Sequence, residues 1–375
     1  MTSIDPHLSD LSHSVLFALQ QARLGRWLCP PNPAVGCVIL SPAGEQLGQG
    51  HTQKAGGPHA EIMALRDAAA RGHTVEGATA YVTLEPCSHH GRTGPCCDAL
   101  ISAGIKKVVA SLADPNPKVS GQGFERLRAA GVEVEVGPGA AESRELNIGF
   151  FSRMLRNTPW VRMKIAASLD GITALDNGES QWITSEAARA DGHAWRARAC
   201  AVLTGIGTVL QDNPRLDVRL VDTPRQPYRV IVDSRLQTPT DAKLFGAGGP
   251  VWIYTAVRDA AREAALQALG ATLTCLPDGD GKVDLAAMMK DLALREINEV
   301  HVEAGSKLNG SLVRSGLVDE FLVYLAPKLL GTGMGMTGFG PLHSLSEALT
   351  LDFLSTEPVG PDLRLLARVR GRDVF

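Results

Sequence analysis

The chain has few aromatic residues and almost no net charge. Of its 375 residues only 5% are Phe, Trp or Tyr, and 37 Lys and Arg against 40 Asp and Glu give a formal charge of -3. A protein that follows the phosphates of long nucleic acid needs a basic surface, often with stacking aromatics. The composition therefore predicts no nucleic-acid partner and favours a small-molecule substrate.

Long apolar runs and a disulfide pattern are also missing. No stretch approaches the roughly 18 uninterrupted apolar residues of a spanning helix, so no membrane insertion is expected. The seven cysteines are an odd number, and the opening MTSIDPHLSD is too polar for an export signal. We expect a cytoplasmic protein with reduced thiols.

The length exceeds what one core of about 150 to 220 residues supports, so two domains are expected. The first half alternates apolar strands with helical segments, which favours a mostly parallel sheet covered by helices. Its segments are AVGCVIL, HAEIMALRDAAARG, ATAYVTL, PCCDALISAG, KKVVASLAD, GFERLRAAG and VEVEV, before a helical run over 142–156. Asn157-Thr158-Pro159 breaks that run, so we predict domains at 1–156 and 157–375.

The second half alternates in its own right and predicts an independent α/β domain. Its segments are VRMKIAAS, AARADGHAWRARA, ACAVLTG, YRVIVDS, PVWIYT, DAAREAALQALG, TLTCL, EVHVEAG and FLVYLAPKLL. The glycine-rich GTGMGMTGFG at 331–340 is predicted to be a surface loop.

The pattern of His59, Glu61, Cys87 and Cys96 indicates a metal site. One imidazole and two thiolates leave a tetrahedral zinc ion one position for water, which is the catalytic arrangement. A carboxylate beside that water can move a proton to a leaving amine. Zinc deaminases carry H-x-E and then P-C-x-x-C, with the Glu not a ligand. Here eight residues, rather than two, separate the cysteines.

Three questions stay open from the residues alone. Cys97 stands next to Cys96 at a predicted helix start, and chemistry does not decide which of them binds zinc. A purely structural zinc module and a nucleic-acid-editing deaminase are the competing interpretations, although the first gives Glu61 no purpose and the second needs a basic groove. The loop SHHGRTGP offers donors for a sugar phosphate (Ser88, His89, His90, Arg92, Thr93) or is simply solvated.

The other cysteines are expected in the core: Cys29, Cys37, Cys200 and Cys275.

Longer stretches in both halves make the chain similar to a known family. They include PNPAVGCVI, GHTQKAGGPHAE and VTLEPCSHHGRTGPCCDALI in the first half, and MKIAASLDG, GESQWITS, LTGIGTVLQDNPRL, VEAGSKLNGSL and GLVDEFLVYLAPKLLG in the second. In that order they resemble the bifunctional deaminase/reductase family of riboflavin biosynthesis. The resemblance implies a cytidine-deaminase-like α/β/α domain followed by a dihydrofolate-reductase-like α/β domain.

For the first domain, the resemblance implies deamination of a diaminohydroxypyrimidine that carries a phosphoribosylamino group. It places zinc on His59, Cys87 and Cys96, with Glu61 moving the proton. Asn32 and His51 are implied contacts of the pyrimidine or ribose, although Asn32 also suits a turn before Pro33.

For the second domain, the resemblance implies reduction of the ribosylamino group with NADPH. A glycine-rich turn that feeds a helix at 305–311 is a candidate cradle for the cofactor diphosphate. Its residues are Gly305, Ser306, Lys307, Leu308, Asn309, Gly310 and Ser311. Further implied cofactor contacts are Ala166, Trp182, Thr208, Asp212 and Ser234. Implied substrate contacts are Ser180, Arg196, Leu216, Arg219 and Glu303.

Several of these residues also make chemical sense. Arg196 and Arg219 suit a ribose phosphate, because guanidinium pairs bidentately with phosphate. Lys164 lies in the otherwise apolar strand MKIAAS, where an unpaired ammonium is costly, so a partner or a catalytic role is expected. Lys164 and Glu303 are the candidates for polar groups beside the reacting sugar. The resemblance also implies a homo-oligomer.

Overall fold

The computed structural model of the chain describes residues 11–88, 94–117 and 119–375. It divides into two compact units, residues 1–156 and 157–375. The polar opening MTSIDPHLSD and four of the predicted loop donors, His89, His90, Arg92 and Thr93, lie outside the described residues. In the described parts no helix is long and apolar enough to cross a membrane.

The first unit is a five-stranded sheet with helices packed on it, in the order β2-β1-β3-β4-β5. Its elements are α1 (His13–Gly25), β1 (Gly36–Leu40), β2 (Gln46–His51), α2 (Ala60–Ala70), β3 (Thr79–Val82), α3 (Cys96–Ser102), β4 (Lys107–Ala110), α4 (Gln122–Ala129), β5 (Glu133–Val136), α5 (Ala140–Leu146) and α6 (Ile148–Arg156).

The prediction of a mostly parallel sheet holds for the direction of four strands, β2 to β5, but not for β1, which runs the other way. Strand β1 is antiparallel to both β2 and β3, and only the pairs β3/β4 and β4/β5 are parallel. The reason is the connection over residues 41–45, which is too short for a parallel crossover and closes a hairpin instead. The partner strand of that hairpin, β2, is rich in glycine and was not expected as a strand.

The glycines of β2 let helix α2 lie directly on the sheet. A Cβ on Gly48 would come within 2.3 Å of the Ala64 carbonyl oxygen, and one on Gly50 within 2.5 Å of Met63 Cβ. Side chains at these positions would push the helix away. Glycine in β2 therefore holds in place the start of α2, where His59 and Glu61 lie.

The second unit contains a nine-stranded sheet in the order β11-β10-β9-β8-β12-β6-β13-β16-β15 and a two-stranded sheet of β14 and β7. Its strands are β6 (Trp160–Ser168), β7 (Ile172–Ala174), β8 (Ala201–Gly205), β9 (Tyr228–Val232), β10 (Val251–Thr255), β11 (Ala271–Cys275), β12 (Glu299–Val302), β13 (Glu320–Ala326), β14 (Met334–Gly335), β15 (Leu351–Val359) and β16 (Asp362–Val369). Its α-helices are α7 (Glu186–Arg198), α8 (Ile206–Asp212), α9 (Ala260–Ala268), α10 (Leu285–Leu294) and α11 (Ser306–Arg314).

This sheet is parallel from β11 to β13, whereas β16 runs antiparallel to β13 and forms an antiparallel hairpin with β15. Parallel strands covered by helices read as continuous apolar runs, as most of these segments do. Within the predicted loop 331–340, the exposed residues Met334 and Gly335 pair with β7.

A row of charged side chains crosses the apolar interior of this sheet. Arg162 on β6 lies beside Glu320 on β13, which in turn lies beside Arg368 on β16. Arg162 Nη1 donates to Glu299 Oε2 at 2.8 Å, and Arg368 Nη2 donates to Glu320 Oε2 at 2.8 Å. The Arg162 guanidinium also stacks 4.6 Å from the Trp195 ring centre. Buried charges are tolerated here because each one has an opposite charge.

Candidate active sites

Three side chains of the first unit converge at the ends of β3 and α2. His59 is the N-cap of α2, Cys87 follows β3, and Cys96 is the first residue of α3. His59 Nδ1 lies 3.5 Å from Cys87 Sγ and 3.4 Å from Cys96 Sγ. A tetrahedral zinc ion with ordinary Zn–S and Zn–N bonds separates a nitrogen and a sulfur ligand by about 3.5 Å. The three ligand atoms therefore have the spacing and the chemistry that zinc requires.

The electrostatics of Cys87 and His59 suit a cation, whereas the bond to Cys87 and burial raise the pKa of the Cys96 thiol. A hydrogen bond from Cys96, and to a lesser extent one with His59, lowers the pKa of the Cys87 thiol. The bond to Cys87 raises the pKa of His59 to about 9. A thiolate beside a protonated imidazole is an arrangement in which a metal ion can replace the proton.

Glu61 lies beside this cluster and is only 3% exposed. Burial raises its pKa to about 7, against the opposing charge of His59. A carboxyl group that titrates near neutrality can take up a proton and release it again. Its position in the first turn of α2 is the one that the H-x-E spacing predicts.

The geometry distinguishes the two adjacent cysteines. Cys97 Sγ donates to the Pro86 carbonyl oxygen at 3.1 Å and lies 3.5 Å from that of Gly123. Cys96 Sγ instead faces His59. The side chain of Cys97 therefore supports the chain behind the cluster and does not join it.

Two buried carboxylates near the cluster were missed by the sequence analysis. Glu85 accepts the backbone N–H groups of Asp114 at 3.1 Å, Gly121 at 2.9 Å and Gly123 at 2.8 Å. Asp114 is 9% exposed, and burial raises its pKa to about 7. The only hint in the sequence is that each carboxylate directly follows an apolar strand segment, as Glu85 does in VTLEPC.

The structure does not bring His51 to this cluster. His51 pairs with Gly36, whose Cβ would lie 1.9 Å from the Ala18 carbonyl oxygen on α1. Paired residues share a sheet face, so His51 faces α1, and its Nδ1 lies 3.5 Å from Gln21 Oε1. Glu61 belongs to α2, which packs on the opposite face of the sheet.

The partly buried Asn32 lies in the turn before β1, where its backbone N–H donates to the Cys29 carbonyl oxygen at 3.0 Å. Asn147 holds the nearby Ala34 in place through two hydrogen bonds. Its Oδ1 accepts from Ala34 N at 2.7 Å, and its Nδ2 donates to Ala34 O at 3.0 Å. Asn147 separates α5 from α6, so a break inside the helical run predicted over 142–156 anchors the segment that carries Asn32.

In the second unit, Glu303 and Arg196 form a bidentate ion pair. Arg196 Nη2 donates to Glu303 Oε2 at 2.8 Å, and its Nε donates to Oε1. Burial would raise the pKa of Glu303, but Arg196 more than offsets it and holds the pKa well below its usual range. Burial lowers the pKa of Lys164, while the charge of Glu303 opposes that shift. Glu303 is thus a charge that favours the Lys164 ammonium, whose Nζ lies 5.9 Å from the Tyr324 ring centre.

The loop between α8 and β9 carries two further predicted contacts, Leu216 and Arg219. Arg196 Nη1 donates to the Asp217 carbonyl oxygen at 2.8 Å, and the Arg219 backbone N–H donates to His193 Nδ1 at 3.2 Å. Both anchors come from helix α7. Three of the five N–H groups of Arg196 are thus used within the protein. The Arg219 side chain is 47% exposed, and its Nη1 donates to Asp217 Oδ1 at 2.8 Å.

The predicted phosphate cradle lies where α8 and α11 begin, after the neighbouring parallel strands β8 and β12. A Cβ on Gly305 would lie 4.0 Å from Thr208 Oγ1, so the turn has an open surface there. Lys307 is exposed, but Asn309 is 2% exposed and donates to the Met336 carbonyl oxygen at 3.2 Å. The turn fits a phosphate best through the residues from Gly305 to Leu308.

The remaining predicted contacts are distributed over several elements of the second unit. Trp182 is 62% exposed, with the Arg189 guanidinium 4.4 Å from its ring centre. Ser234 Oγ accepts from Val283 N at 3.1 Å. The others are Ala166 on the same strand face as Lys164, Asp212 at the end of α8, Ser180 before α7, and Gly310 and Ser311 within α11.

Fold and sites together define a class: a zinc-dependent deaminase joined to a nicotinamide-dependent reductase. Residues 9–112 match the cytidine and deoxycytidylate deaminase zinc-binding region, and residues 159–365 match the RibD C-terminal domain. The chain is 45% identical over 361 residues to riboflavin biosynthesis protein RibD of Escherichia coli, covering 93% of this chain and 96% of that one. It is 41% identical over 374 residues to the protein of that name from Haemophilus influenzae, covering 94% and 96%.

Solved structures agree over both units. RibD from Acinetobacter baumannii superposes with a TM-score of 0.86 at 39% identity, covering 95% of this chain and 98% of that one. A diaminohydroxyphosphoribosylaminopyrimidine deaminase/5-amino-6-(5-phosphoribosylamino)uracil reductase from Thermotoga maritima superposes with a TM-score of 0.85 at 33% identity, with coverage of 95% and 98%. The chain belongs to the RibD family of riboflavin biosynthesis proteins. It is a bifunctional deaminase and reductase, with zinc and NADP(H) as cofactors.

Proposed function

We propose that residues 1–156 deaminate 2,5-diamino-6-(5-phosphoribosylamino)pyrimidin-4-one by hydrolysis. Residues 157–375 then reduce the ribosyl group of 5-amino-6-(5-phosphoribosylamino)uracil to ribityl with NADPH. The observation that carries the proposal is the spacing of His59 Nδ1 and the Cys87 and Cys96 thiols beside the buried Glu61. The activities named for the Thermotoga maritima structure supply the substrates.

In the deaminase unit, His59, Cys87 and Cys96 would hold the metal and Glu61 would move the proton. Zinc, when bound, supplies a nucleophilic hydroxide near neutral pH. The Glu61 carboxylate accepts the proton released from water and returns it to the departing amine, so that ammonia leaves. Asn32 binds the pyrimidine or ribose, and His51 stays a predicted contact.

In the reductase unit, a nicotinamide, when bound, would supply a hydride to C1 of the sugar. Lys164 and Glu303 lie beside the reacting sugar, and Arg219 holds the ribose phosphate together with the two N–H groups of Arg196 that have no protein partner among the described residues. The turn at Gly305–Leu308, with Thr208, receives the cofactor diphosphate. The exposed ring of Trp182 offers a flat surface for the cofactor.

The partners of the chain are the pyrimidine ribotide and a second copy of the chain in a homo-oligomer, as the family resemblance implies. We place the protein in the cytoplasm. The seven free thiols, five of them buried, suit a reducing compartment.

The test compares ammonia release and NADPH oxidation in wild type, in Glu61→Ala and in a matched control, Glu45→Ala in the exposed turn after β1. We expect Glu61→Ala to lose ammonia release and to keep NADPH oxidation on the already deaminated compound. Glu45→Ala should keep both. If wild type releases no ammonia from the diaminopyrimidine ribotide, the assignment of the first unit is wrong.

A further inference from the structure

Arg126, on the exposed side of helix α4, bridges the two chain segments that carry the cysteine ligands. Its Nη1 donates to the Ser88 carbonyl oxygen at 3.0 Å. Its Nε and Nη2 meet the two carboxylate oxygens of Asp98 at 2.7 and 2.8 Å. Ser88 directly follows Cys87, and Asp98 lies two residues after Cys96. One guanidinium thus ties both ends of the segment between the ligands.

The two segments also contact each other directly. The Cys96 N–H donates to Cys87 Sγ at 3.4 Å, and the Cys97 N–H donates to the Cys87 carbonyl oxygen at 3.2 Å. These bonds fix the direction of the Cys87 side chain only while the segments stay in register. Any loosening between Ser88 and Asp98 therefore acts on the position of a ligand sulfur.

Helix α4 is itself seated on the segment before Cys87. Glu85 accepts N–H bonds from Gly121 and Gly123 at the start of the helix. A Cβ on Gly123 would lie 2.1 Å from the Pro86 carbonyl oxygen, so the helix touches the backbone there. The helix that carries Arg126 is therefore held in a fixed position, which favours a bidentate bond over a mobile surface contact.

The solvent exposure of the Arg126–Asp98 ion pair indicates which property it affects. The side chains of Arg126 and Asp98 are 44% and 39% exposed, and exposed ion pairs add little to global stability. Residues that orient metal ligands nevertheless commonly change metal affinity 10–100-fold when replaced. The effect of Arg126 should therefore appear in metal binding and not in the stability of the fold.

We propose that Arg126 is a positioning residue for the zinc site, and that it holds Cys87 and Cys96 at ligand spacing by closing the chain between Ser88 and Asp98. The proposal rests on the assignment of zinc to this cluster. Loss of the guanidinium lets the segments separate, so zinc leaves faster and the thiolate geometry around the metal relaxes.

The experiment measures zinc binding by the full-length protein in competition with a chromogenic chelator. Arg126→Ala is expected to bind zinc about 10–100-fold more weakly than wild type. Arg126→Lys keeps the positive charge but cannot form the bidentate bond, so its zinc affinity should lie between those of wild type and Arg126→Ala. Asp98→Asn, which leaves the bond to Ser88 possible, should also be intermediate. Cobalt-substituted protein should show a shifted thiolate-to-cobalt absorption band in Arg126→Ala.

Arg128→Ala is the matched control, because Arg128 lies on the same helix and stacks 5.9 Å from the ring centre of Phe124. It should bind zinc as wild type does. The proposal is overturned if Arg126→Ala and Asp98→Asn both retain wild-type zinc affinity and an unshifted cobalt band. A wild type that binds no zinc would overturn the zinc assignment as well, whereas normal zinc binding without ammonia release would count only against the proposed reaction.

Discussion

Removal of the Glu303 carboxylate should destabilise the second unit by leaving a guanidinium without its counter-charge. The side chains of Glu303 and Arg196 are each 14% exposed, so solvent screens the pair weakly. Two unit charges about 4 Å apart attract by about 4 kcal/mol at an effective dielectric constant of about 20. Breaking a buried pair from one side costs roughly 3–5 kcal/mol.

For Glu303→Gln we expect the lower end, about 3 kcal/mol, because Arg196 keeps its bond to the Asp217 carbonyl oxygen. Replacing both partners removes the stranded charge, so Glu303→Gln with Arg196→Met should be more stable than the sum of the single changes predicts. The coupling free energy between the two sites is the quantity to measure.

Urea unfolding followed by tryptophan fluorescence is the suitable assay, since four of the five tryptophans (Trp160, Trp182, Trp195 and Trp252) lie in the second unit. Single and double variants give the coupling from a double-mutant cycle. A coupling near zero would refute the reasoning, because the cost would then come from lost packing and not from the ion pair.

The same pair has a defined pH dependence. The folded-state pKa of Glu303 lies well below its usual range, whereas in the unfolded chain it is about 4.3. The stabilisation is therefore complete above about pH 4.3 and is lost as pH falls towards the folded pKa. Unfolding free energies of wild type and Glu303→Gln should converge below about pH 4 and stay parallel at neutral pH.

Three further outcomes are expected. Removal of zinc with a chelator should abolish ammonia release and leave NADPH oxidation and the far-ultraviolet circular dichroism nearly intact; extensive unfolding would favour a structural metal. Gly123→Ala should lower the zinc content after dialysis, because its Cβ meets the Pro86 carbonyl oxygen, while Gly192→Ala, with open space at its Cβ, should not. His193→Leu should raise KM for the deaminated substrate by up to about tenfold with kcat little changed, since the Arg219 N–H loses its acceptor. His193→Asn should restore KM through its Oδ1, and failure of that rescue would argue for a packing role.

The chemistry of the metal site was more accessible from the sequence than its surroundings. A histidine and two cysteines near a glutamate form a pattern that few functions other than metal binding require. His59, Cys87 and Cys96 do lie together in the structure. Glu85 and Arg126 were missed because carboxylates and guanidinium groups are common on any surface. What distinguishes them is the backbone that they bind, which depends on how α4 packs.

In the fold, too, some elements could be predicted from the sequence and others could not. The apolar β6 and β13 stood out because parallel strands are buried on both faces. Strand β2 could not be recognised in this way, because Gly48 and Gly50 are unusual in a strand. These glycines are needed because α2 packs closely against them. The pairing direction of β1 depended on a hairpin to this same β2. A helix over α10 and the hairpin of β15 and β16 were likewise not expected.

The charged row across β12, β6, β13 and β16 bears on how the chain reaches a single fold. An apolar strand that slips by two residues keeps the same side chains facing the core, so hydrophobicity alone distinguishes such registers poorly. In this sheet a slip of β6 would carry Arg162 away from Glu299 and Glu320 and leave charges unpaired inside the protein. Each broken pair costs roughly 3–5 kcal/mol. The row therefore acts as a register mark, which penalises misaligned strands during folding.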